Sequence, residues 1–142
     1  MTCIGHPSVL ELVGLTKDRR PDGLTLNPWY KGRSLVWDVT VVDTFAECHC
    51  VVSATMPDSV ATDAETDKCR IHNDLLDNYY FQPIAIETTG VYGKSTAPFL
   101  SCLVNKLDDI SGNPRKRQWL HQRLSLAVVR GNTASILACV QV

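Results

Sequence analysis

Residues 34–42 form the most ordered hydrophobic pattern in the chain. Leu35, Trp37, Val39 and Val41 alternate with Val36, Asp38, Thr40 and Val42. A strand apolar on both faces is covered on both, which predicts a central strand of a sheet. Ahead of it, a polar entry from Lys17 to Gly23 leads into the run 24–29. Pro28 and the Lys31-Gly32 turn signal predict a hairpin between the two strands. Periodicity is lost over 44–62, which reads as a surface loop. Thr62-x-x-Glu65 is a capping-box pattern, and it predicts a helix on which Lys68, Ile71, Leu75 and Tyr79 recur at helical spacing. Residues 80–89 return to strand character, with Phe81, Ile84 and Ile86 apolar and Gly90 as a stop. Phe99, Leu100, Leu103, Val104 and Leu107 mark a second helix closing before Gly112. A third is expected over 115–130, with Trp119, Leu120, Leu124 and Val128 inward and Gly131 at the C-cap. Residues 132–140 fit helix or strand. Residues 8–14 read as the end of a helix stopped by Gly14, the tail of something longer, so the chain reads as truncated at its N-terminus. Hairpin, helix, strand, helices: the order predicts one mixed α/β domain over 1–142, built on a single sheet.

Charge changes the picture by what it fails to support. With 14 basic and 15 acidic residues the net charge is -1, so nucleic-acid binding would have to rest on a local patch. The run Arg115-Lys116-Arg117, with Arg123 and Arg130 beyond, is one such patch; a solvated helix face explains it equally well. Trp119 reads as core rather than as a base-stacking platform. Six irregularly spaced cysteines without a signal peptide read as reduced thiols in an intracellular, soluble protein. Cys48-His49-Cys50 and Cys69-x-x-His72 contain zinc-ligand types, but no second CxxC supports them, and ordinary loop and helix cysteines are the favoured reading. His6, His49 and His121 read as surface or packed histidines. No apolar run approaches the ~20 residues that span a bilayer.

One pair of residues points to chemistry. Asp38 interrupts an otherwise apolar strand, and a buried carboxylate requires a cation, a metal or strong donors. If the hairpin loop is 28–32, Asn27 pairs with Arg33, and the same register sets Asp22 opposite Asp38 on one face. Two carboxylates ~5 Å apart repel unless a divalent ion bridges them, and hard oxygen donors suit Mg2+ or Mn2+. Such an ion polarises a phosphodiester and activates water. In that arrangement Asp38→Asn, by removing repulsion, would stabilise the metal-free protein. The competing reading has Asp22 capping a turn and Asp38 paired with Arg20 or Arg33.

The strings RPDGLTL (20–26) and LVWDVTVVDT (35–44) are followed by DLL (74–76), FQPIAIETTG (81–90), QRLSLA (122–127) and RGNTAS (130–135). Together, in this order and over most of the chain from about residue 8, they resemble the C-terminal endonuclease-like domain of non-LTR retrotransposon reverse-transcriptase polyproteins. That domain belongs to the PD-(D/E)xK superfamily. The resemblance implies a restriction-endonuclease-like core, with a hairpin-containing mixed sheet flanked by helices. It also implies Asp22 and Asp38 as metal-binding catalytic acids for Mg2+ or Mn2+. DNA contacts, if made, are expected from Arg20, Arg115, Lys116, Arg117 and Arg123. The superfamily's usual lysine, two residues past the second acid, is Thr40 here. In the retroelement branch a lysine from the following helix takes its place, and Lys68 is the candidate. The Lys-Tyr pair common in that helix aligns with Ile71-His72, a departure that puts activity in doubt. Glu87 is a possible third carboxylate, though a surface or salt-bridged glutamate is favoured.

The implied activity is a metal-dependent endonuclease that nicks target DNA for reverse transcription, acting in the nucleus beside an upstream reverse-transcriptase domain. The alternatives are a catalytically inactive remnant of such a polyprotein and a DNA-binding module. Intact Asp22 and Asp38 favour the first; Ile71 and the abrupt start at Met1 favour the second; the near-zero charge counts against the third.

Overall fold

The structure, a computed structural model, describes residues 20–140. The helix expected over 8–14 lies outside them. Three strands form a mixed sheet in the order β1-β2-β3: β1 is Gly23–Tyr30, β2 Arg33–Val42 and β3 Tyr80–Glu87. The first two pair antiparallel and the last two parallel, so β2 is central, as its two apolar faces require. Among the described residues four α-helices accompany the sheet: α1 Glu47–Thr55, α2 Ser59–Ile71, α3 Thr96–Ser111 and α4 Lys116–Val140. A single 3-10 turn, Asn73–Leu75, follows α2.

The hairpin turns more tightly than the five-residue loop its proline suggests. Lys31 and Gly32 form the whole turn, with φ of 46° and 76°. Both residues are therefore left-handed, the geometry that follows the natural twist of paired strands. Pro28 is accommodated inside β1, opposite Ser34, on the edge of the sheet where its missing N–H does no harm. A register irregularity lies on each side of Pro28, and pairing then resumes at Leu24 with Val36 and ends at Gly23 with Trp37. Gly23 lies beneath the Trp37 indole, and any Cβ built there would overlap the ring.

Alternation along β2 divides the core in two. Leu35 packs with Phe99 and Leu100 on one side, joined by Trp29, Trp37, Ile84, Leu120 and Leu124. Val36 packs with Leu75 and Phe81 on the other, joined by Leu24, Cys69 and Tyr79. Helices α3 and α4 therefore cover the Leu35 face, while α2 and the 3-10 turn cover the face that carries Asp38. Toward the end of β2 the Leu35 face opens. Val39 and Val41 line a groove of about 680 Å3 with Ile86, Leu124, Val128 and Ile136.

Several boundaries differ from the sequence reading. The stretch 44–62 is not one surface loop: it contains α1, in which no residue is buried, and the start of α2, whose Val60 and Ala61 are buried, as is Thr44. With no buried stripe, α1 has no hydrophobic period to read. Helix α2 ends at Ile71, which is 41% exposed, so the expected face through Ile71 is not the inward one. Helix α3 closes on Gly112 with φ 62°, as its position predicts. Gly131 does not cap α4, which runs through it to Val140, and Asn132 Nδ2 donates to the Thr88 carbonyl at 2.8 Å. Among the described residues no helix is long and apolar enough to cross a membrane.

Candidate functional site

The inward face of α2 carries polar side chains beside the buried Val60 and Ala61. Glu65, Lys68 and the C-cap residue His72 recur at helical spacing, with Glu65 and His72 4% and 2% exposed; Lys68 and His72 reach the sheet. Hydropathy periodicity cannot find such a face, because its apolar content is low.

Asp38 is 5% exposed and meets two partners from this helix. Lys68 Nζ lies 2.9 Å from Asp38 Oδ2, and His72 Nε2 lies 3.0 Å from the same oxygen. Lys68 remains 30% exposed in its side chain, so it bridges the buried acid and solvent. The sequence requires a cation, a metal or strong donors at Asp38, and the structure supplies Lys68 and His72. Arg33, one of the arginines weighed for this role, donates instead to the Leu76 carbonyl at 3.2 Å.

Asp22 sits one residue before β1, exposed, beyond the last ladder pair. Its backbone N–H donates to Trp37 O at 3.0 Å. Its carboxylate Oδ2 accepts the Val39 N–H at 2.7 Å, so it closes the free edge of β2 immediately beside Asp38. The two acids are thus brought to adjacent positions of one strand edge, but not as a facing ladder pair. Each has its Oδ2 engaged, and each Oδ1 takes no hydrogen bond from a described residue.

Other candidates are placed elsewhere. Glu87 pairs across from Val42 in the register that sets Asp38 against Pro83. Four residues along a strand is ~13 Å, too far for a shared ion. Glu87 is neither at the surface nor in an ion pair among the described residues: it is 1% exposed, and Oε1 accepts the Ala61 N–H in the first turn of α2 at 3.4 Å. Glu65 does the same for α3. It accepts from Ser95 N at 2.9 Å, Thr96 N at 2.8 Å and the Thr96 hydroxyl at 2.6 Å. The capping box with Thr62 is therefore not made; Thr62 Oγ1 accepts from Lys94 N at 3.3 Å. Two buried glutamates each cap a helix belonging to another part of the chain, where the N-terminal partial charge favours an anion. Gly93 leaves room for the Glu65 carboxylate, which a Cβ would overlap. Gly93→Ala is expected to cost about 2 kcal/mol in urea unfolding, since the buried acid has nowhere to move.

The basic patch lies on the far side of the sheet from Asp38, because α4 packs through Leu120 and Leu124 on the Leu35 face. Trp119 is 50% exposed rather than buried, with Lys116 Nζ 5.8 Å and the Arg123 guanidinium 5.6 Å from its ring. Arg117 donates to Asn105 Oδ1 at 3.0 Å, Arg115 is exposed, and Arg20 is exposed near Asp22. The structure brings Lys68 to Asp38 and Asp22 to the neighbouring Val39 amide, and leaves Arg115, Lys116, Arg117 and Arg123 apart.

The zinc-ligand types do not assemble. Among the described residues no three His, Cys, Asp or Glu side chains form a metal-holding group. Burial, with the nearby Glu65 charge, pushes the Cys69 thiol up, away from the thiolate that zinc needs. A hydrated Mg2+ or Mn2+ asks for less, because it commonly uses one or two carboxylates and keeps several waters. Asp22 and Asp38 are oxygen donors of the type such an ion takes. No family model, curated protein or solved structure matches this chain.

Proposed function

We propose that the chain is a metal-dependent DNA endonuclease domain of retrotransposon ancestry. Its hairpin, central strand and α2 would be a restriction-endonuclease-like core. The carrying observation is Lys68 Nζ at 2.9 Å from Asp38 Oδ2, because it supplies from a helix the lysine that Thr40 does not supply from the strand. Asp22 and Asp38 would hold Mg2+ or Mn2+ through their free oxygens. The ion, when bound, polarises the phosphodiester and lowers the pKa of a bound water. Lys68, at the edge between the buried acid and solvent, is placed to meet an anionic phosphate and to offset charge that develops on it. In this reading duplex or branched DNA is the substrate, and a linked reverse transcriptase in the nucleus extends the nick.

A second reading, an inactive remnant, is favoured by a specific observation. Asp38 is satisfied by Lys68 and His72, and Asp22 by Val39, without any ion. The separation of the basic patch from Asp38 points the same way.

Nicking of supercoiled plasmid with Mn2+ decides between them. Wild type is expected to produce open circles, and Asp22→Asn and Lys68→Ala are each expected to reduce the rate by roughly 100-fold or more. Asp22 is exposed and Asn keeps an acceptor for Val39 N–H, so that variant should fold. Equal residual nicking by wild type and both variants would leave the remnant.

A further inference from the structure

We infer that His72 is a positioning residue for Asp38: its Nε2–H, together with the Lys68 ammonium, pins Oδ2 and keeps Oδ1 free for a divalent cation. The inference rests on the proposed nuclease reading and gives a role to a residue that the pattern of hydrophobic positions does not mark.

Lysine alone is a poor locator. Its ammonium ends a four-carbon flexible stem and is 30% exposed here. Histidine has two side-chain torsions, and this one is held at both ends. Its backbone N–H closes α2 on the Lys68 carbonyl at 3.0 Å, and its ring packs on Phe81 with centroids 4.9 Å apart. The imidazole therefore has one place to be, and Nε2 arrives 3.0 Å from Asp38 Oδ2. Nδ1 is buried and has no partner among the described residues. A proton there would be a buried donor without an acceptor, so the network assigns the Nε2–H tautomer. With both donors on Oδ2, rotation of the carboxylate would break two hydrogen bonds at once. This is how residues behind a metal ligand ordinarily work: they fix its orientation while touching no metal.

A histidine that merely fills the core would behave differently. Its replacement by a ring of similar shape would affect stability and leave ion binding alone.

The experiment is Mn2+ titration of the full chain, followed by the loss of the free-ion EPR signal, with far-UV circular dichroism as the folding control. His72→Phe keeps ring volume against Phe81 and removes the donor, and is expected to weaken Mn2+ binding about 10-fold. His72→Gln retains an N–H donor and is expected to restore affinity to within about threefold of wild type, since the hydrogen bond rather than the ring is what matters. A folded His72→Phe that binds Mn2+ like wild type overturns the inference and leaves the nuclease reading standing. Wild type that binds no Mn2+, or binds it equally after Asp38→Asn, overturns the nuclease reading and the inference with it. Long-range 1H–15N spectra of the wild-type imidazole give a readout that needs no variant: the Nε2–H tautomer is expected, and the Nδ1–H tautomer overturns the assignment.

Discussion

Glu65→Ala is expected to destabilise the protein by about 4 kcal/mol, the largest effect of a single substitution among the residues discussed. The N-cap residue of α3, Ser95, makes no side-chain capping bond. The orphan donors at that helix start are met instead by Glu65, which arrives from α2. Alanine removes the acceptor for the Ser95 and Thr96 amides and for the Thr96 hydroxyl, and Thr96 is fully buried. Each donor would lose a bond to a charged group, worth about 1.5–3 kcal/mol. Water reaching the vacated space recovers part of that sum. Glu65→Gln keeps one acceptor oxygen and should cost about half as much. Urea unfolding of the three proteins reads the difference directly. A loss below about 1 kcal/mol for the alanine variant would mean that the cap is replaceable by solvent.

Asp38→Asn is expected to abolish nicking and to destabilise the metal-free protein by about 2 kcal/mol. Reasoning from a facing pair of carboxylates gives the opposite sign for stability, since there asparagine would relieve repulsion. The structure reverses it because Asp38 is not a repelled charge. It is the acceptor for Lys68 and His72 at 2.9 and 3.0 Å. Removing one member of a buried ion pair leaves its partner uncompensated, which costs about 3–5 kcal/mol when both are sealed from water. Lys68 is 30% exposed and can turn to solvent, which brings the expected cost to the lower figure. Thermal or urea unfolding in EDTA checks it. A variant more stable than wild type would show that the carboxylates repel after all. The nicking assay is interpreted beside Asp22→Asn, since loss of activity in Asp38→Asn alone would mix chemistry with stability.

The helix-capping glutamates show why some of the site was legible and some was not. Asp38 announces itself, because a carboxylate inside a two-faced apolar strand has to be satisfied by something. Lys68 enters only through the family resemblance, which places a lysine on the following helix; the residues alone point to Arg20 or Arg33. His72 carried a weaker signal: it lies four residues after Lys68 and so on the same face. A hydrophobic stripe through Ile71, Leu75 and Tyr79 masks that spacing, because it places a different face inward. Glu65 gave a positive but misleading signal, since Thr62-x-x-Glu65 satisfies a local capping pattern while the side chain serves a helix thirty residues further on. Trp119 misled by type. A large aromatic reads as core, yet it stands 50% exposed between two cations.

By itself the sequence determined the mixed α/β order, the central place of β2, the turn at Lys31-Gly32 and the stop at Gly112. These follow from alternation, helical spacing and glycine's access to positive φ, all of which act over a few residues. Only the tertiary structure decided which donors reach Asp38, that Asp22 bonds the edge of β2 instead of facing its neighbour, and that the basic patch lies across the sheet. Those outcomes depend on which face of a helix meets which face of a sheet. That choice is made by packing between segments far apart in the chain, and no short window of residues records it.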